Sequence, residues 1–221
     1  HLKKINADLV IDLQNSKRTQ FYHLITRIFN PKIVINSSRK FSHLRYNIPK
    51  HGSEHVIEGL KNQLNLLNIE HKSISDINWL RKKDFINPIK KKFVLLIPGT
   101  SQNGSKKQWS SKKFSKLSQL VNDIDFEVVI SGTPNDRETI KYILSQAPKI
   151  INLEQYSDFP NFINLCDSAS IIISVDTGPA HIAAYSNIPL IWIIKSSKYC
   201  ITNKPFSRNT YIIEADDVNS I

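Results

Sequence analysis

The sequence predicts an α/β protein built on a parallel sheet with helices on both faces, and two observations carry that prediction. From Phe93 onward short apolar runs alternate with longer amphipathic stretches, the order expected of strands joined by crossover helices. Within that alternation, Ile171 to Ala184 reads IIISVDTGPAHIAA. Three isoleucines and Val175 have the character of a strand buried on both faces; Asp176 to Pro179 stop it, and His181, Ala183 and Ala184 begin a helical pattern. A buried strand that hands polar residues to a helix N-terminus is where open α/β sheets hold ligands. The first-turn amides there point outward without partners and attract an anion. A phosphate or other anion is therefore expected at this strand end, with Pro179 in the opening helical turn, where a missing N–H costs nothing.

Taken in order, residues 7–13 (ADLVIDL) predict a strand and residues 19–29 a helix with Phe21, Leu24, Ile25 and Ile28 on one face. A second strand is expected over 32–35, an aromatic and basic surface loop over 41–51, and a helix over 54–68 with an inward stripe of Val56, Ile57, Leu60, Leu64 and Leu67. These elements do not complete a sheet. Residues 70–92 are polar and charged and contain Pro88, which predicts a linker, with a first domain over 1–85 and a second over 86–221. In the second, strands are expected at 93–97, 127–130, 149–153, 169–175, 189–194 and 211–213. Helices are expected over 111–121, with Phe114, Leu117 and Leu120 inward, over 135–146 and over 158–166, so that this part reads as a complete Rossmann-like domain.

The length of 221 residues and 40% hydrophobic content support a real core, and no run of eighteen apolar residues predicts a transmembrane span. Residues 1–20 carry charges throughout and lack the apolar centre of a signal peptide. Cys166 and Cys200 are not spaced as a metal or redox motif, which favours free thiols in a cytosolic protein. The seven histidines are dispersed without an HExxH pair, so no metal site is expected. Thirty Lys and Arg against nineteen Asp and Glu give a net charge of +11, which suits a polyanionic partner or reflects a Lys- and Asn-rich composition. The chain contains no methionine and starts at His1, from which a fragment or processed chain is expected.

Chemistry is expected at three strand ends. The first runs into PGTSQNGSKKQW, residues 98–109, where Gly99 permits a tight turn, Thr100 and Ser101 offer donors and Lys107 is a cation suited to a phosphate oxygen. The spacing is neither that of a Walker loop nor of a dinucleotide fingerprint, and a plain polar connection is the competing reading. Trp109 reads as a packing anchor for that loop. After Ser131 and Gly132, the segment TPNDRE offers Asp136 and Glu138 either as helix-capping carboxylates or as acceptors for ribose hydroxyls. Asp176 and His181 flank the helix start at the third; the absence of GxSxG argues against a hydrolase triad.

PGTS at 98–101, Lys107 two positions before Trp109, SGTPNDRE at 131–138 and above all DTGPAHIAA at 176–184 resemble the ADP-heptose:lipopolysaccharide heptosyltransferases, glycosyltransferase family 9. ADLVIDLQNSKRT at 7–19 resembles the middle of that family's N-terminal domain. The resemblance implies a GT-B fold of two Rossmann-like domains, the N-terminal one incomplete, with acceptor mainly on the first and nucleotide-sugar donor on the second. It implies inverting transfer of heptose from ADP-L-glycero-D-manno-heptose to the lipopolysaccharide inner core, with neither cofactor nor metal. Thr100, Ser101 and Lys107 would contact the diphosphate; Asp176, Thr177, Gly178 and His181 would line the same site; Asp136 or Glu138 would take the ribose. Lys107, Asp176 and His181 are the residues to which it assigns catalysis. The family's base, an aspartate near the start of the N-terminal domain, matches no residue of this chain. The partners implied are the sugar nucleotide, a lipid A/Kdo or heptosylated lipopolysaccharide acceptor and the cytoplasmic face of the inner membrane, with no nucleic acid. Two departures stand out: Trp109-Ser110 replaces the family's Trp-Pro, and IWIIKSSKYC at 191–200 lacks its glycine-containing loop. The second leaves room for another nucleotide sugar, and the unmatched base for a non-catalytic nucleotide- or polyanion-binding protein.

Overall fold

The computed structural model describes residues 7–50, 53–70, 77–99, 108–195 and 200–215. The chain forms two compact units, His1–Ser75 with Tyr199–Asn203, and Asp76–Lys198 with Lys204–Ile221. The division falls after Ser75, ahead of the 85/86 boundary expected from composition. Residues 77–92 are packed onto the second unit: Ile89 is buried in its core, the Phe85 ring meets Tyr156 edge-on, and Arg81 Nε donates to Asp167 Oδ2 at 2.6 Å. Of its apolar side chains, Phe85 and Ile89 are the ones packed on the second unit's core, a pattern too sparse to read as an element.

In the first unit three parallel strands lie in the order β1 (Leu9–Ile11), β2 (Val34–Ser37) and β3 (Leu44–Arg45), with α1 (Lys17–Phe29) joining β1 to β2 and α2 (Val56–Asn65) following β3. β3 lies in the segment expected to be a loop. α1 opens on a capping box, in which Thr19 N donates to Ser16 Oγ and Ser16 N to Thr19 Oγ1. The helix occurs where the period predicts it but buries a different face: Phe21, Ile25 and Ile28 are exposed, while His23 and Thr26 are buried. The inner face instead serves the polar end of β1, where His23 Nε2 lies 3.1 Å from Asp12 Oδ2. On α2 the expected stripe is half-buried at Ile57, Leu60, Leu64 and Leu67 and exposed at Val56, and the one fully buried residue of the helix is Gln63. Gln63 Nε2 donates to Asp12 O and to Asn36 Oδ1, each at 3.0 Å, and Asn36 Nδ2 donates to Gln63 O at 3.1 Å.

The second unit holds a six-stranded, wholly parallel sheet. Its chain order is β4 (Phe93–Ile97), α3 (Ser111–Asn122), β5 (Glu127–Ile130), α4 (Arg137–Gln146), β6 (Ile151–Asn152), α5 (Phe159–Ser168), β7 (Ile171–Val175), α6 (Gly178–Ala183), β8 (Leu190–Ile194), α7 (Cys200–Asn203) and β9 (Thr210–Glu214), with α7 counted in the first unit. Side chains alternate between two apolar layers. Phe93, Leu95 and Ile97 pack with Phe162, Leu165 and Cys166 of α5, whereas Val94 and Leu96 pack with Phe114 of α3 and Ile140 and Ile143 of α4. The central strands β4, β7 and β8 are thus covered on both faces, which is why they read as nearly unbroken apolar runs. On α3, Phe114, Ser118 and Val121 are buried and Leu120, expected inward, is exposed; Trp109 stands edge-on to Phe114 at 4.8 Å. Trp109 therefore packs, as expected. Burial pushes the Cys166 thiol far above its ordinary value and leaves it inert.

Candidate functional site

The six strands run β6-β5-β4-β7-β8-β9, so successive connections depart in opposite directions from β4. At such a reversal the loops after the two central strands splay apart and leave a crevice at their carboxyl ends. A cavity of about 470 Å³ opens there. Among the described residues its lining comprises Ile97 and Gly99 after β4; Ser131, Gly132, Thr133, Asn135 and Asp136 after β5; Ser157, Phe159 and Phe162 at α5; and Thr177, Gly178, Pro179 and Ile182 after β7. Three strand ends singled out from the sequence thus meet at one place.

Asp136 is buried, and its Oδ2 accepts from both Thr133 N and Thr133 Oγ1 at 2.8 Å, closing the turn that leads into α4. Its carboxylate also fills the space beside Gly99, where a Cβ would come within 2.2 Å of Asp136 Cγ. The capping role expected of Asp136 is observed, on the cavity wall. Glu138 lies elsewhere: it pairs with Lys141 at 3.1 Å on the open surface and is not among the cavity's lining residues. Of the two carboxylates considered for the ribose, only Asp136 reaches the cavity.

Thr177 is the extended residue before α6, Gly178 and Pro179 form its first turn, and all three line the cavity. Gly178 is open, with no atom of the described residues within 4 Å of the position a Cβ would take. α6 is only six residues long, so its dipole is shorter than the sequence pattern suggests and its contribution rests on the first-turn amides. Asp176 and His181 bracket that turn, both half-buried, and neither is among the lining residues. Thr100, Ser101 and Lys107 lie outside the described residues.

Sequence reasoning passed over two features. Ser131 is buried at the end of β5, and among the described residues its Oγ has no hydrogen-bond partner although it borders the cavity. A buried hydroxyl without a partner is costly unless a ligand supplies one. Its only signal was its place before Gly132 at a strand end. The second is the apolar side of the cavity, formed by Phe159, Phe162, Pro179, Ile182 and Ile97, whose residues are scattered over three segments, β4, α5 and α6. Among the described residues no cluster of three or more His, Cys, Asp or Glu is arranged to hold a metal ion.

A further cavity of about 400 Å³ lies in the first unit, bordered by Asn15 after β1, Ser38 after β2, Tyr46, Lys50, Glu54, His55 and Gln63. Tyr46 Oη donates to Glu54 at 2.7 Å, and Asn62 Nδ2 donates to Glu54 Oε1 at 2.8 Å. Burial, and then the hydrogen bond to Glu54, raise the Tyr46 phenol above its ordinary value, so it stays a donor. The wall is rich in amides, hydroxyls and a held carboxylate, groups that match polyhydroxylated ligands.

A doubly wound parallel sheet with a cavity at its strand-order reversal defines the class of open α/β domains, which place their ligands at that crevice. More particularly, the chain belongs to glycosyltransferase family 9 (heptosyltransferase), whose family model matches residues 1–220. It is 26% identical to lipopolysaccharide heptosyltransferase 3 of Escherichia coli over 98% of this chain and 68% of that protein. Among solved structures it is similar to a family 9 glycosyl transferase from Veillonella parvula, with a TM-score of 0.72, 18% identity and coverage of 96% of this chain and 65% of that one. It is also similar to an E. coli heptosyltransferase solved with ADP, with a TM-score of 0.68, 17% identity and coverage of 95% and 67%. The chain thus spans about two thirds of the length of these relatives.

Proposed function

We propose that the second unit binds the nucleotide half of ADP-heptose and that the chain takes part in inverting transfer of heptose to the lipopolysaccharide inner core. The observation that carries this reading is the cavity at the β4–β7 reversal, with an unpartnered Ser131 hydroxyl in its wall, an open Gly178 at a helix start and an apolar side of adenine-accepting character. The base would lie against Phe159, Phe162 and Ile182, and Asp136 or Ser131 would meet the ribose. The diphosphate would take the amides of the first turn of α6 together with Thr100, Ser101 and Lys107. The solved relative that carries ADP supports the choice of nucleotide.

In the transfer, an acceptor hydroxyl oxygen attacks C1 of the heptose from the face opposite the diphosphate. The bond from C1 to the diphosphate oxygen breaks, and ADP leaves with the electron pair. The proton of the hydroxyl passes to a base, for which no residue of this chain is assigned. Lys107 and the α6 amides would carry the charge that grows on ADP, the work of a metal ion in other transferases. The polar cavity of the first unit is the place proposed for the acceptor sugar, and a lipid-borne acceptor brings the enzyme to the cytoplasmic face of the inner membrane.

Calorimetric titration with ADP, GDP and UDP tests the donor assignment. ADP-selective binding that weakens about tenfold in Ser131→Ala, the loss of one hydrogen bond, and further in Lys107→Ala supports it. A folded chain that binds none of the three overturns it.

A further inference from the structure

Residues 78–92 carry six Lys and Arg against a single Asp. They form a strap over the α5 side of the second unit: Arg81 is tied to Asp167, Asn164 Nδ2 donates to Lys82 O, and Phe85 and Ile89 point inward. The inward anchors force their neighbours out. Trp79 and Ile86 are 79% and 82% exposed, the two most exposed of the large apolar side chains among the described residues, and Lys82, Lys83 and Lys90 to Lys92 are exposed around them. Lys90 to Lys92 enter β4 at its amino end, whereas the nucleotide cavity lies beyond its carboxyl end. The five residues of β4 separate the two by about 16 Å. These lysines therefore serve no phosphate in that cavity.

Exposed apolar side chains standing among cations are what a protein presents to an anionic bilayer, where lysines meet headgroups while Trp and Ile enter the interface. A nucleic-acid surface would pair its cations with stacking rings, and Ile86 has no face on which a base can stack. From this we infer that the strap of residues 78–92 docks the second unit onto a bilayer of anionic phospholipid, with Trp79 and Ile86 inserted. The inference deepens the reading of the chain as an enzyme acting on a lipid-borne acceptor, but it requires neither nucleotide nor acceptor.

The test is co-sedimentation of the full chain with vesicles of phosphatidylcholine alone or with one quarter phosphatidylglycerol, free of lipopolysaccharide. The expected result is binding to the anionic vesicles only. It falls about tenfold in Trp79→Ala/Ile86→Ala, falls at least roughly 100-fold when the five lysines become Gln, and weakens with salt. Trp79→Phe should abolish the blue shift of emission on vesicle addition. Circular dichroism and the ADP titration, both unchanged in these variants, show that they fold. No binding of the parent chain, equal binding by the variants, or tighter binding to a single-stranded oligonucleotide lost through the same substitutions overturns the inference. Vesicle binding without nucleotide binding upholds it and overturns only the donor assignment.

Discussion

Gly99 and Gly178 border the same cavity and have opposite reasons to be glycine. At Gly99 the protein itself occupies the space, since a Cβ there would overlap the Asp136 carboxylate that holds the turn into α4. Gly99→Ala should therefore destabilise the second unit by about 1–3 kcal/mol, measured by urea denaturation. At Gly178 the space is open, so Gly178→Ala should leave stability within about 0.5 kcal/mol and weaken ADP in calorimetry, because the added methyl stands where the ligand is placed. A loss of stability at Gly178, or unaltered ADP affinity, would count against the assignment of this turn to the ligand.

At the scale of elements, the ends of β1, β2, α1 and α2 are joined by one buried polar network centred on Asp12. Its Oδ1 accepts from Gln14 N at 3.0 Å and Asn15 N at 3.1 Å, and its Oδ2 accepts from Ser37 Oγ at 3.1 Å and faces His23. Burial pushes the Asp12 carboxyl up, but hydrogen bonds from Thr19, Asn15 and Ser37 and the attraction of His23 outweigh it and hold the pKa below the ordinary 3.8. A carboxyl depressed on folding contributes stability that is present above its unfolded pKa and is lost as pH falls through the folded value. The first unit should accordingly lose stability in acid below about pH 4. Asp12→Ala should cost roughly 3–5 kcal/mol near neutrality by leaving buried partners unsatisfied and flatten that acid limb, both read by circular dichroism. An unchanged acid limb would remove Asp12 from the account.

For the whole molecule, Trp79, Trp109 and Trp192 all lie in the second unit, so tryptophan emission reports on the unit that holds the cavity at the strand-order reversal. ADP at a hundred times its dissociation constant should stabilise that unit by about 2.7 kcal/mol, visible as a raised midpoint in emission. Asp12→Ala should move the circular dichroism transition while leaving the emission midpoint in place. A midpoint indifferent to saturating ADP would speak against a donor site there.

How much was legible beforehand follows from the same division. In the second unit the central strands are buried on both faces, so unbroken apolar runs such as Phe93 to Ile97 and Ile171 to Val175 announced themselves, and the polar residues that stop them marked the strand ends. In the first unit the buried face is polar, so the periodicity of Phe21, Ile25 and Ile28 pointed at solvent, while His23, Asn36 and Gln63 carried no apolar signal at all. The sequence by itself determined the parallel α/β class, the strands of the second unit and the family signature at 176–184, because apolar burial and turn chemistry are local properties. The chain fold alone makes β4 a neighbour of β7, turns Asp136 rather than Glu138 to the cavity, leaves Ser131 without a partner among the described residues and lays residues 78–92 down as a strap. Those depend on which distant segments meet, and no local pattern records that.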